Sequence, residues 1–229
     1  ASGLELRALG HWLAYYDGGE YAELVSDPDR DIHFHNACLF GIHERGKEIP
    51  KLTRDLSKRL IYCVLYGGGA KKTGSIIAPK ESEHKQYEKG KQTIDTFYQN
   101  LPAIKKLKDQ VESTLSNRDY LIGIDGRHLQ IRSKHSALNQ LLQSTGAITV
   151  KKATTILYDD MTDKGLKFFK DWGFVAHVHD EYQCLLRPEY TDLFQELAID
   201  SFRKSGEYFK LKCPLTGEAK IGKNWCETH

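Results

Sequence analysis

At 229 residues the chain is long enough to bury a substantial core, and it lies between one large domain and two small ones. Its 40% hydrophobic and 28% charged residues are those of an ordinary globular protein. A formal net charge of +2 excludes a uniformly basic nucleic-acid coat, so any such affinity must come from local clusters of charge. No apolar run approaches the ~20 residues of a membrane helix, and no internal repeat or low-complexity segment interrupts the chain. Cys38, Cys63, Cys184, Cys213 and Cys226 form no close pair and follow no secretory signal, so the expected compartment is reducing and cytoplasmic. Cys226 and His229 lack the neighbouring ligands a zinc site needs.

The first predicted element is a helix whose stripe is Leu6, Leu9 and Leu13, joined by Trp12. Ser2 suits its N-cap, and Glu5, three residues on, completes a capping box, which is the structural reading of that glutamate. Gly18-Gly19 ends the helix, and a loop at Asp27-Pro28-Asp29 leads to Ile32-His33-Phe34-His35, where either histidine could meet an anion. Gly41 to Pro50 is a polar connector. The next helix places Arg54, Lys58, Tyr62 and Tyr66 at every fourth position, a drift of only about 40° per step, so they form one slowly winding stripe. Two cations followed by two rings can grip a phosphate chain at one end and stack a base at the other. Leu56, Leu60, Cys63 and Val64 are the expected apolar anchor, and Gly67-Gly68-Gly69 stops the helix.

From Lys71 to Lys108 the pattern is helical and its lysines alternate with glutamates, as on a solvated surface. Tyr120–Gly123 and His128–Ile131 flank Asp125-Gly126, a hairpin signal. A helix then runs from Leu138 through Val150 to Met161, with Asn139 and Gln143 one turn apart, where two amides can read nucleic-acid edges or make ordinary interhelix hydrogen bonds. Tyr190 to Phe202 is a further amphipathic helix.

The chain is organised around Phe174-Val175-Ala176-His177-Val178-His179-Asp180-Glu181-Tyr182-Gln183-Cys184-Leu185-Leu186. It reads as two buried strands joined by a turn that carries the two acids. Paired carboxylates on a rigid turn suit a hard cation, whereas a solvated Asp-Glu turn is the bland alternative. The polar His177 and His179 beside that turn favour the functional reading.

In order, Ser2-Gly3-Leu4-Glu5-Leu6-Arg7, then Arg54…Lys58…Tyr62…Tyr66-Gly67, then His179-Asp180-Glu181 resemble motifs A, B and C of the family A DNA polymerases, closest to the bacteriophage replicative branch. The ending Gly222-Lys223-Asn224-Trp225 is also similar, and the resemblance spans essentially the whole chain. It implies an α+β fold: a right-hand palm, an antiparallel sheet with packed helices, made of residues 1–33 and 112–229, with an inserted α-helical fingers subdomain over 34–111. The implied reaction is attack of a primer 3′-hydroxyl on the α-phosphate of a deoxynucleoside triphosphate, with release of pyrophosphate, aided by two magnesium ions for which manganese is the substitute.

By the same resemblance Asp180 is a metal ligand and Glu181 its acidic neighbour. Arg54, Lys58 and His33 hold the triphosphate, with Lys58 the candidate proton donor to pyrophosphate. Tyr62 stacks on the incoming nucleotide, and Glu5 with Tyr66 crowds the sugar 2′ position. Arg132, His135, Asn139, Gln143, His179 and Gly67 line the path of the primer-template. The family's motif A opens with a metal-binding aspartate ahead of the position of Ala1, and that aspartate, the thumb and any exonuclease are absent from these residues. The expectation is therefore a C-terminal polymerase piece, active once an N-terminal partner chain supplies the aspartate and thumb. A non-catalytic DNA- or nucleotide-binding fragment is the alternative from another class, and a His-Asp metal phosphohydrolase is a third.

Overall fold

The computed structural model describes residue 1 and residues 3–228. The first helix, α1 (Leu4–Asp17), buries the stripe Leu6, Leu9 and Leu13. Ser2, the expected N-cap, lies outside the described residues, as does His229 beside Cys226. Gly18 and Gly19 turn the chain in left-handed conformations, and the two Asp17 carboxylate oxygens accept the N–H groups of Gly19 (2.8 Å) and Tyr21 (3.1 Å). That pair of hydrogen bonds starts α2 (Glu20–Ser26). Asp31 caps α3 (Ile32–Leu39) by accepting the N–H of His33 at 2.9 Å.

After the polar connector, α4 (Lys51–Leu65) buries Ser57, Leu60, Ile61, Val64 and Leu65. Its stop is a Schellman motif: the Gly67 N–H donates to the Val64 carbonyl (3.1 Å) and the Gly68 N–H to the Cys63 carbonyl (2.8 Å), with Gly67 at φ 80°. Cys63 is only half-buried, its thiol 3.8 Å from the Thr73 hydroxyl, so Ile61 and Leu65 anchor the helix where Cys63 was expected. The next pair, α5 (Ala70–Ile77) and α6 (Glu83–Asn100), packs backbone on backbone. A methyl group at Gly74 would stand 1.7 Å from the Gln86 carbonyl oxygen, and one at Gly90 1.9 Å from that of Ala70. Only glycine permits this approach. Then α7 (Pro102–Asn117) returns to α1, and Phe40 stacks on Phe97 at 4.2 Å between α3 and α6.

The strands form two separate antiparallel hairpins. One is β1 (Tyr120–Ile122) with β2 (His128–Gln130), turning at Asp125-Gly126. The 27-residue α8 (Ala137–Asp163) follows and packs its first half on α1 and its second on α9 (Thr191–Tyr208). Between them lies the second hairpin, β3 (Trp172–Val178) and β4 (Glu181–Leu186), and α10 (Trp225–Thr228) stands near the end of the chain. Trp172, Leu157, Met161 and Phe194 form the core beneath this hairpin. Tyr182 stacks flat on Phe202 and donates its hydroxyl to the Ala198 carbonyl at 3.1 Å.

The strands of this hairpin are not buried on both faces, as their composition predicted. Val175 is 60% and Leu185 71% exposed, because the ribbon covers α8 and α9 with one face only and a bulge between Phe174 and Ala176 turns Val175 outward. Helix α3 runs through residues 33–34 and α7 through 111–112. Among the described residues no helix is long and apolar enough to cross a membrane.

Candidate active site

Helices α1, α3, α4 and α8 and the tip of the β3–β4 hairpin place the candidate side chains. Arg54, Lys58 and Tyr62 on α4 face His33 on α3 across a cleft of 700 Å³, also lined by Arg7, Arg30 and Asp31. The Ser57 hydroxyl donates to the His33 carbonyl at 2.8 Å and ties the two helices together. Arg54 Nε donates to Asp31 Oδ2 at 2.6 Å. Lys58 is exposed and has no ion-pair partner among the described residues. The Nδ1 of His33 is buried without a hydrogen-bond partner among the described residues. Burial, aided by the neighbouring Arg54 and Lys58 charges, lowers the His33 pKa, so the ring is neutral at neutral pH.

Tyr62 lies half-buried between this cleft and the hairpin. Its phenol is pushed above the ordinary range by burial first, then by the carboxylates of Glu5 and Asp180. Tyr66, the C-cap residue of α4, donates its hydroxyl to Glu5 Oε1 at 2.6 Å, and the Gln143 amide donates to the same oxygen. Burial and this bond raise the Tyr66 pKa well above that of a free phenol. The predicted pair Glu5 and Tyr66 is therefore a triad with Gln143, and it joins α1, α4 and α8 at one point. Gly67 completes the junction, since a methyl group there would lie 2.4 Å from the His135 carbonyl oxygen.

At the hairpin tip His179 (φ 50°) and Asp180 form the turn, and Glu181 is the first residue of β4, paired with Val178. One carboxylate thus lies in the turn and the other on the strand, where Glu181 Oε1 accepts from Gln183 at 3.2 Å. The Ala1 nitrogen donates to the Asp180 carbonyl at 2.5 Å. Ala1, Asp180, Glu181, Gln183 and Thr228 border a second cleft, of 560 Å³. His177 reaches away to the Thr154 hydroxyl, 3.0 Å from its Nε2, while His179 is exposed.

Among the described residues no three His, Cys, Asp or Glu side chains are gathered as a metal site. Asp180 and Glu181 are hard oxygen donors of the kind that hold magnesium, an ion that keeps several waters and takes one or two protein carboxylates. Arg132 and His135 are exposed on the approach to α8. Asn139, one turn before Gln143, keeps a buried Oδ1 without a partner among the described residues. Asp31 and Arg30 are cleft residues that spacing alone did not single out. The signal for Asp31 was its position immediately before an apolar helical run, where an aspartate serves as N-cap.

A cleft lined by Arg54, Lys58 and His33, and a hairpin tip carrying Asp180 and Glu181, thus stand on a frame of helices and small antiparallel ribbons. The chain belongs to DNA polymerase family A, whose profile matches residues 2–227. It is 36% identical over 246 aligned residues to the DNA-directed DNA polymerase of Enterobacteria phage T3, covering 100% of this chain and 32% of the relative. The DNA-directed DNA polymerase of Escherichia phage T7 matches with the same 36% identity and the same coverages. DNA polymerase I of Aquifex aeolicus is 25% identical over 214 residues, covering 89% of this chain and 36% of the relative. The chain thus spans about a third of the curated relatives it matches. In fold it resembles the POL domain of Pol1 from M. smegmatis, solved in complex with DNA primer-template and dNTP, with a TM-score of 0.74 at 18% identity over 93% of this chain and 37% of that one.

Proposed function

We propose that these residues are the palm and fingers of a template-directed DNA polymerase that adds deoxynucleotides to a primer 3′-hydroxyl. The observation that carries the reading is the convergence of Arg54, Lys58, His33 and Tyr62 on one cleft, with Asp180 close enough to act on the Tyr62 phenol. Residues 1–33 and 112–229 are the palm and 34–111 the fingers, with the crossings inside α3 and α7. Arg54 and Lys58 hold the β- and γ-phosphates, and the free Nδ1 of His33 contributes a further polar contact there. Lys58, solvent-accessible and without an ion-pair partner among the described residues, gives a proton to the leaving pyrophosphate. Tyr62 stacks on the incoming base, while Glu5, fixed by Tyr66 and Gln143, closes the space a 2′-hydroxyl would need. Arg132, His135, Asn139, His179 and the Gly67 backbone follow the primer-template.

Asp180 and Glu181 are this chain's share of a divalent-metal site, for magnesium or manganese. Its remaining carboxylate, with the thumb, comes from an N-terminal polymerase segment outside these 229 residues. Calorimetric titration of the chain with a deoxynucleoside triphosphate tests the cleft. Lys58→Ala and Arg54→Ala should each weaken binding at least about tenfold, as loss of a charge-assisted contact does. Unchanged affinity in both variants contradicts the assignment.

A further inference from the structure

The cleft that gathers cations also holds acids. Arg7, Arg30, Arg54 and Lys58 share its lining with Asp29 and Asp31. Arg30 is committed outside, its Nε 2.9 Å from Asp27. Arg54 is committed inside, through the 2.6 Å bond from its Nε to Asp31 Oδ2, and its two terminal nitrogens have no hydrogen-bond acceptor among the described residues. The Asp31 carboxylate is divided between two tasks: Oδ1 caps α3 by accepting the His33 N–H at 2.9 Å, and Oδ2 occupies the guanidinium. Burial pushes the Asp31 carboxyl up, but Arg54 and the His33 and Phe34 N–H groups hold it below the usual carboxylate range, so it is charged at neutral pH. The Arg54 and Asp31 side chains are 43% and 35% exposed, which makes this an ion pair that solvent can exchange and not a buried lock.

We propose that Asp31 is an internal anion that occupies Arg54 in the empty cleft and yields it to the incoming triphosphate, and so sets the affinity for nucleotide and pyrophosphate. This rests on reading the cleft as the nucleotide site. Two effects of removing the Asp31 charge oppose each other. Arg54 loses an orienting partner, which for an exposed pair changes an equilibrium by at most about fivefold. The polyphosphate, carrying several negative charges, loses a fixed carboxylate within one residue's reach, a repulsion that changes the equilibrium about tenfold or more even in a largely aqueous dielectric. Repulsion wins, so the charge-neutral variant binds more tightly.

Asp31→Asn isolates the charge, because an asparagine oxygen still accepts the His33 N–H and the cap survives. The chain and this variant are titrated calorimetrically with sodium tripolyphosphate at low ionic strength, and the Arg54 Nε–Hε resonance is followed by NMR. The expected result is about tenfold tighter binding by Asp31→Asn. In the wild type, the Arg54 resonance should shift away from its ion-paired position on saturation. Equal or weaker binding by Asp31→Asn, or an Arg54 resonance that does not move, overturns the proposal while leaving the nucleotide cleft in place. Absence of any binding by the wild-type chain overturns the cleft reading itself, and this inference with it.

Discussion

Replacing Gly67 by alanine tests whether this residue is a structural joint or only a surface past which DNA runs. The glycine sits at φ 80°, where an L-residue is disfavoured by about 1–2 kcal/mol. Its added methyl would stand 2.4 Å from the His135 carbonyl oxygen, a backbone atom that cannot rotate away. Forcing such a group into a packed contact costs about 1–3 kcal/mol, so the two penalties together predict a loss of about 2–5 kcal/mol. Gly69 is the control: it lies at φ −85° with open space around its missing Cβ, and Gly69→Ala should stay within about 0.5 kcal/mol of wild type. Urea denaturation of the two variants, followed by circular dichroism, measures the difference. Because Tyr66 precedes the joint, Gly67→Ala should also loosen its bond to Glu5 and bring the Tyr66 phenol closer to its ordinary pKa. Equal midpoints for the two variants would refute the packing argument.

Two further outcomes are expected. Burial, with help from the Lys212 charge, lowers His11 from 6.5 to about 4, and its Nδ1 accepts the Lys212 N–H at 3.1 Å. A base depressed in the folded state leaves stability complete above pH 6.5 and drains it as pH falls through the window from 6.5 to 4, by about 2.5 kcal/mol at pH 4.5. Urea midpoints of wild type and His11→Asn at pH 7.5 and 4.5 should show that excess loss in the wild type alone, and parallel losses would contradict it. In a primer-extension-competent polymerase assembly, Gln143→Met keeps the length of the side chain but not its donor to Glu5. It should raise ribonucleotide incorporation relative to deoxynucleotide about tenfold, as loss of one bond to a charged group does. An unchanged ratio with weaker primer-template binding would make Gln143 a DNA contact only.

The features that follow local rules were legible in the residues alone. The α1 stripe, the α4 stripe of Arg54, Lys58 and Tyr62, the Gly67-Gly68 stop and the hairpin turn at Asp180 all arise from neighbours within a few positions, although Glu181 sits on the strand and not in the turn. What was hidden depends on long-range meetings. Glu5 finds Tyr66 and Gln143 across 61 and 138 positions, and no local pattern announces that a carboxylate suited to a capping box is held there instead. Ile61 and Leu65 anchor α4 because neighbouring elements cover it from more than one side, which a single helical stripe does not reveal. The outward Val175 follows from a bulge, a one-residue slip that breaks strand alternation without any special residue type to mark it. Asp31 was readable as a cap, yet its hold on Arg54, 23 positions away, was not.

The most direct measurement is primer extension with magnesium and all four deoxynucleotides, first with this chain alone and then with an N-terminal family A segment ending in the motif A aspartate. Extension only in the mixture is the predicted result, since Asp180 and Glu181 then share a site completed from outside. Extension by the chain alone would contradict the account, because it would mean that the described carboxylates suffice to hold the ions.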